Sequence, residues 1–151
     1  MNNYDDIRFA VLAEIVLLAN KLQVVMNLGI NDITFKQWLP MIMIDKFEFP
    51  PTLNELSQCC GITHQSTKQL VNKLEEKGYV SIEQNPNDKR ELHISLTDKS
   101  RKWSEQNAKM NHDFVYELFS CLTQDEVNMY FEAQHKLLTK LKKIGEEFKP
   151  Q

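Results

Sequence analysis

His64, Gln65, Lys68, Gln69, Asn72 and Lys73 are hydrogen-bonding side chains on one side of a single stretch, and Thr67, Leu70, Val71 and Leu74 recur at i, i+3, i+4 and i+7 on the other. That spacing buries one stripe of an α-helix and turns the rest outward. The outward set is long or amide-bearing, and lysine is its only charged type until Glu75 and Glu76. Amides pair with base edges and ammonium groups neutralise phosphates, so the chemistry implied is recognition of double-stranded DNA. Thr63 and Ser66, at the start of the same stretch, complete its candidate contacts.

A second group follows in Asn85-Pro86-Asn87-Asp88-Lys89-Arg90. Pro and Asn favour a loop, and Lys89 and Arg90 carry charges that can follow phosphates or enter a minor groove. Asp88 is placed to pair with the Arg90 guanidinium and hold its fork in one direction. Arg90 is then the reader and Asp88 its brace.

The elements that must position these groups are also visible. Thr63 is a good N-cap, and Gly78 stands where a helix needs a left-handed residue to stop, which predicts a recognition helix over 63–77. Upstream, Thr52 and Glu55 form a capping box that opens a short helix to about Cys60, and Gly61 supplies the turn between the two helices. Downstream, Val80-Ser81-Ile82-Glu83 and Leu92-His93-Ile94-Ser95-Leu96 alternate apolar and polar residues with period two, predicting a hairpin whose wing spans 84–91. The order is that of a winged helix-turn-helix.

The flanks read as long helices. Ile7, Val11, Ile15, Leu18, Leu22 and Val25 mark a first helix ending near Gly29, and Thr34 with Gln37 opens a second. Pro40 lies inside that second helix, where the missing N–H predicts a kink or a delayed start. Thr97 opens a long helix to about Cys121, and Thr123 with Glu126 opens the last, carrying Val127, Phe131, Leu137, Leu138, Leu141 and Ile144. The fold class expected is mainly α with a small β-hairpin wing, in one domain over 1–151. Within it, 34–96 forms the DNA-binding lobe, and 1–33 with 97–151 form helical dimerisation regions. Large apolar faces on the outer helices have little to cover inside so small a lobe, so a second copy of the chain is the expected cover. A homodimer places two recognition helices about 34–36 Å apart and calls for an inverted-repeat operator.

Composition agrees. At 151 residues, 42% hydrophobic and 26% charged, the chain suits one globular domain. Between Thr52 and Lys102 eight basic residues face seven acidic ones, a charge of +1, against −3 for the whole chain. The asymmetry is weak, but it concentrates bases on the recognition helix and wing. Glu14 interrupts the first apolar run, and Asp5 and Asp6 stand where an export signal carries basic residues, so no membrane partner and a cytoplasmic location are expected.

These residues resemble the MarR-type bacterial transcriptional regulators. The resemblance rests on Leu74-Glu75-Glu76-Lys77-Gly78-Tyr79-Val80, on Asp88-Lys89-Arg90, on Leu96-Thr97-Asp98-Lys99 leading into a long helix, and on Thr34-Phe35-Lys36-Gln37-Trp38. It spans nearly the whole chain. It implies a sequence-specific regulator that represses by occluding a promoter and releases DNA when a small ligand or an oxidant changes the spacing of two lobes. It also implies a pocket where helices one, two and five meet the lobe, with Phe9, Trp38, Met41, Phe47 and Trp103 as candidate walls. Ordinary core or dimer packing is the alternative role for each. Peroxide-sensing members carry a reactive cysteine in the first helix, and this chain has none there.

Other chemistries are poorly served. Cys59, Cys60 and Cys121 admit thiol sensing or service as small core hydrophobes, and the lack of basic neighbours favours the second. His64, His93, His112 and His135 are scattered, which predicts no metal site, and no cofactor is expected. Neither a phosphate-binding glycine loop nor a Gly-x-Ser-x-Gly elbow is present, so an enzyme is not expected. The alternative from another class is a winged-helix module for protein contacts that no longer reads DNA. Such a module calls for apolar or acidic residues where the chain has Gln65, Lys68, Gln69 and Lys73.

Overall fold

The computed structural model describes residues 6–85 and 91–148. Among the described residues six helices and one hairpin follow in the order α1 (Ile7–Gly29), α2 (Phe35–Ile44), α3 (Leu53–Cys60), α4 (His64–Glu76), β1 (Val80–Gln84), β2 (Leu92–Leu96), α5 (Asp98–Phe119) and α6 (Gln124–Glu147). The fold is mainly helical with a β-hairpin, as the sequence predicts. The chain divides into two compact units, one through Trp103 and the other from Ser104 onward.

Asp6 caps α1, and threonine side chains open α2 to α6, by accepting backbone N–H groups that a first turn leaves unpaired. Thr34, Thr52 and Thr123 form complete capping boxes with Gln37, Glu55 and Glu126. Thr63 caps α4 through the Ser66 amide at 3.2 Å, and Thr97 accepts the Ser100 amide at 3.4 Å. Gly61 and Gly78 take φ of 67° and 75°, the left-handed values that a side chain disfavours. At Gly78 the α4 helix closes with Tyr79 N–H donating to Leu74 O at 2.8 Å, the long-range bond of a Schellman stop. Pro40 does not end α2, which continues through it to Ile44. The lost bond falls on the carbonyl of Lys36, an exposed residue whose oxygen water can reach.

In the first unit α2, α3 and α4 pack on one another, and α4 packs on β1. Leu56 and Leu74 are 0% exposed, and Val71, Tyr79 and Ile94 are 1% exposed. The strands pair antiparallel with Val80 opposite Leu96 and Ile82 opposite Ile94. The chain entering α3 extends the sheet by one bridge, Thr52 to His93, with Ile94 N–H donating to Pro51 O at 3.0 Å. This fastens the hairpin to the helix-turn-helix.

α1 and α6 differ from this unit's core. Met26 is the one buried residue of α1, and α6 has none. Glu14 does not disqualify α1 as expected: its mean hydropathy of 1.8 over an 18-residue window makes it long and apolar enough to cross a membrane. Length and composition alone therefore leave two covers for its surface, lipid or protein.

Candidate nucleic-acid interface

Helix α4 separates its two faces as the periodicity predicts. Thr67, Val71 and Leu74 are buried, and Leu70 is half-buried. Thr63, His64, Gln65, Ser66, Lys68, Gln69, Asn72 and Lys73 are all exposed. The buried threonine is satisfied, its hydroxyl donating to Thr63 O at 3.1 Å. Thr63 and Ser66 are less free than the others, because the Thr63 hydroxyl donates to Ser66 Oγ at 2.9 Å while capping the helix. The amide and lysine side chains are thus the outward donors and acceptors. Asp88, Lys89 and Arg90 lie outside the described residues. On either side of them, Asn85 N–H donates to Glu91 O at 2.9 Å.

Two cations of this stretch are engaged within the chain. Lys77 Nζ donates to Asp32 O and lies 3.5 Å from Gln37 Oε1. Lys99 Nζ donates to Lys77 O at 2.8 Å, lies 3.7 Å from Asp32 Oδ2, and sits 4.4 Å over the Tyr79 ring. The Tyr79 hydroxyl donates to Asp32 Oδ2. Burial, then the bond to Asp32, pushes the phenol up to about 12, and the same bond holds the Asp32 carboxyl below its usual value. The one sequence signal for this cluster is Asn31-Asp32 between apolar Ile30 and Ile33, a pair that tolerates left-handed backbone.

The five proposed pocket walls stand in different surroundings. Met41 and Trp103 are core residues, 3% and 8% exposed, and Trp103 meets the Tyr79 ring edge-on at 6.3 Å. Trp38 packs on Phe35 at 5.8 Å, and Phe9 is 48% exposed on α1. Phe47 lines a small cavity of about 180 Å³ with Ile94, Leu96 and Arg101. A larger groove of about 460 Å³ lies between α1, α2 and α4. Ala19, Gln23, Phe35, Leu39 and Pro40 form one side, and Ile62, Ser66, Gln69, Leu70 and Lys73 the other, with Lys36 at the α2 edge. The outward face of α4 is therefore shared between solvent and this groove.

The cysteines are free thiols. Burial, then the neighbouring Cys59, pushes Cys60 up to about 11, which keeps it protonated and weakly nucleophilic near neutral pH. Cys59 is exposed with Sγ 3.5 Å from Met43 Sδ, and Cys121 Sγ lies 3.6 Å from Leu118 O. His93 is tied at 2.8 Å to Pro50 O, and His112 stacks on Tyr116 at 4.2 Å. Among the described residues no three His, Cys, Asp or Glu side chains gather as a metal site would need.

Residues 31–91 match the sequence profile of the MarR family. The transcriptional repressor MprA of Escherichia coli K12 is 24% identical over 131 residues, covering 87% of this chain and 73% of that one. A MarR protein from Peptoclostridium difficile shares the fold with a TM-score of 0.86 at 20% identity, covering 99% of this chain and 96% of the other. The Staphylococcus aureus MepR–DNA complex matches with a TM-score of 0.75 at 18% identity, over 85% of this chain and 96% of that one.

Proposed function

We propose that the chain, whose residues 31–91 match the MarR family profile, is a DNA-binding transcriptional regulator of that family, a repressor acting as a homodimer on an inverted-repeat operator. The observation that carries the reading is α4, capped by Thr63, stopped at Gly78, buried on one face and presenting Gln65, Lys68, Gln69, Asn72 and Lys73 on the other. In a major groove the amides select bases and the lysines neutralise phosphates, while the wing over 84–91 reaches the minor groove with Arg90 braced by Asp88. The repressor that the chain resembles supports the regulatory sign. Residues 34–96 act as the DNA-binding lobe, and 1–33 with 97–151 supply the dimer contacts, which assigns the apolar surface of α1 to a second copy in place of lipid. The protein then works in the cytoplasm, where its DNA is.

A small-molecule effector, where one acts, has a better site in the groove between α1, α2 and α4 than among the five aromatic and methionine residues expected from sequence. Ser66, Gln69 and Lys73 line that groove and also belong to the proposed DNA face, so occupation there competes with reading. Protein contact through the same face without DNA is disfavoured, because its exposed side chains are amides, lysines and His64.

Selection of genomic fragments by the purified chain tests the proposal. An enriched inverted repeat overlapping promoters, with half-sites about one helical turn apart, is the expected result. Fragments recovered without a shared repeat would count against sequence-specific reading.

A further inference from the structure

Asp32 is, among the described residues, the one non-glycine with a left-handed backbone, at φ 72°. It occupies the short connection between α1 and α2, and three groups from elsewhere converge on it. The Tyr79 hydroxyl and the Lys77 ammonium donate to its side chain and its carbonyl, and Lys99 Nζ stands 3.7 Å from Oδ2. Lys77 and Tyr79 flank Gly78, where α4 stops, and Lys99 lies in the first turn of α5. Thr97 Oγ1 adds a bond of 2.7 Å to Gly78 O. A left-handed non-glycine is maintained only where surrounding contacts over-determine it.

We propose that Asp32 is a positioning residue for DNA reading, holding the end of α4 through Tyr79 and Lys77 so that the chain leaving α1 sets the pitch of the recognition face. The inference rests on the reading of α4 as the DNA-contacting helix. Tyr79 suits the task because its ring is anchored in the core, 1% exposed and edge-on to Trp103, while its hydroxyl donates to Asp32. A displacement of the α1–α2 connection is passed to the last turn of α4 through a rigid ring. Lys77 and Lys99 both serve this joint.

The test uses the full chain with Asp32→Gly, Asp32→Asn and Tyr79→Phe, each measured below its melting temperature on the selected operator and on an unrelated duplex of equal length. Asp32→Gly accepts the backbone but removes the acceptor, and Tyr79→Phe removes the donor. Each should weaken operator binding about five- to tenfold, the size of one ordinary net hydrogen bond, while unrelated duplex stays within about twofold. The double variant should be no worse than the stronger single one. Asp32→Asn keeps an acceptor and tolerates the left-handed backbone, so it should retain most operator affinity. Equal losses on both duplexes, or a lowered melting temperature with an unchanged operator preference, would overturn the proposal. Amide exchange at Gly78 and Tyr79 without DNA separates this failure from failure of the DNA reading itself. Faster exchange in Asp32→Gly shows that the joint holds the end of α4 even where its role in reading fails, and unchanged exchange overturns the proposal.

Discussion

α4 and α6 are both amphipathic helices, opened by a threonine cap, yet α4 buries Thr67, Val71 and Leu74 while α6 buries nothing. In α6, Leu138 is 59% exposed, Leu141 62% and Phe131 68%. An apolar stripe of helical period predicts that something covers it, and does not say what. For α4 the cover is α2, α3 and β1 of the same unit. For α6 no such cover is present among the described residues, and under the proposed function a second copy supplies it.

The largest expected effect comes from breaking that contrast in α6. Replacing Leu138 and Leu141 together by Asp puts two carboxylates on one face at i and i+3. If a second copy covers the face, burial of unpaired charge costs roughly several kcal/mol, and sedimentation should show monomers that no longer hold the operator. If the face is solvated, stability should change by about 0.5 kcal/mol or less and assembly not at all. Leu74→Ala, in the covered stripe of α4, is the companion measurement. It should lose about 2–5 kcal/mol at every protein concentration, because its cover is intramolecular.

A smaller effect sharpens the comparison within the lobe itself. Lys68 and Lys73 are exposed on α4, whereas Lys77 and Lys99 are turned onto Asp32, Tyr79 and neighbouring carbonyls. Lys68→Gln and Lys73→Gln should each flatten the slope of log affinity against log salt by about 0.9, the share of one released counterion. Lys99→Gln should leave the slope unchanged even where affinity falls. A flatter slope for Lys99→Gln would place that ammonium on phosphate after all.

What the sequence discloses follows the range of the interactions concerned. Thr34, Thr52 and Thr123 act on amides three residues away, and Gly78 acts on its own φ, so caps, stops and the two faces of α4 were legible. The MarR resemblance was legible for the same reason, in short local motifs. Asp32 meets Tyr79 and Lys77 across more than forty residues of chain, and nothing local in any of the three points to the others. The choice between pocket wall and core packing was not legible on similar grounds. Residue type marks Met41 and Trp103 as apolar, but only packing decides that they fill the core instead of lining a groove.

The smallest effect concerns what α3 and α6 have in common. Both open with Thr-x-x-Glu boxes: Thr52 N–H and Thr123 N–H each donate to the glutamate three residues on at 2.8 Å. In both, the bond from the threonine backbone, then that from its hydroxyl, holds the carboxyl below the ordinary glutamate value of 4.5. A carboxyl depressed in the folded state adds stability above 4.5, and that stability is lost as pH falls through the lower folded value. Glu126→Ala should therefore lower the melting temperature slightly at neutral pH, and the deficit should fade as acid protonates Glu126 in the parent chain. Glu55→Ala should show the same direction, since the box is local and indifferent to what covers the helix behind it. A deficit that persists undiminished well below pH 4.5 would show that the methylenes of Glu126, not its charge, support the start of α6.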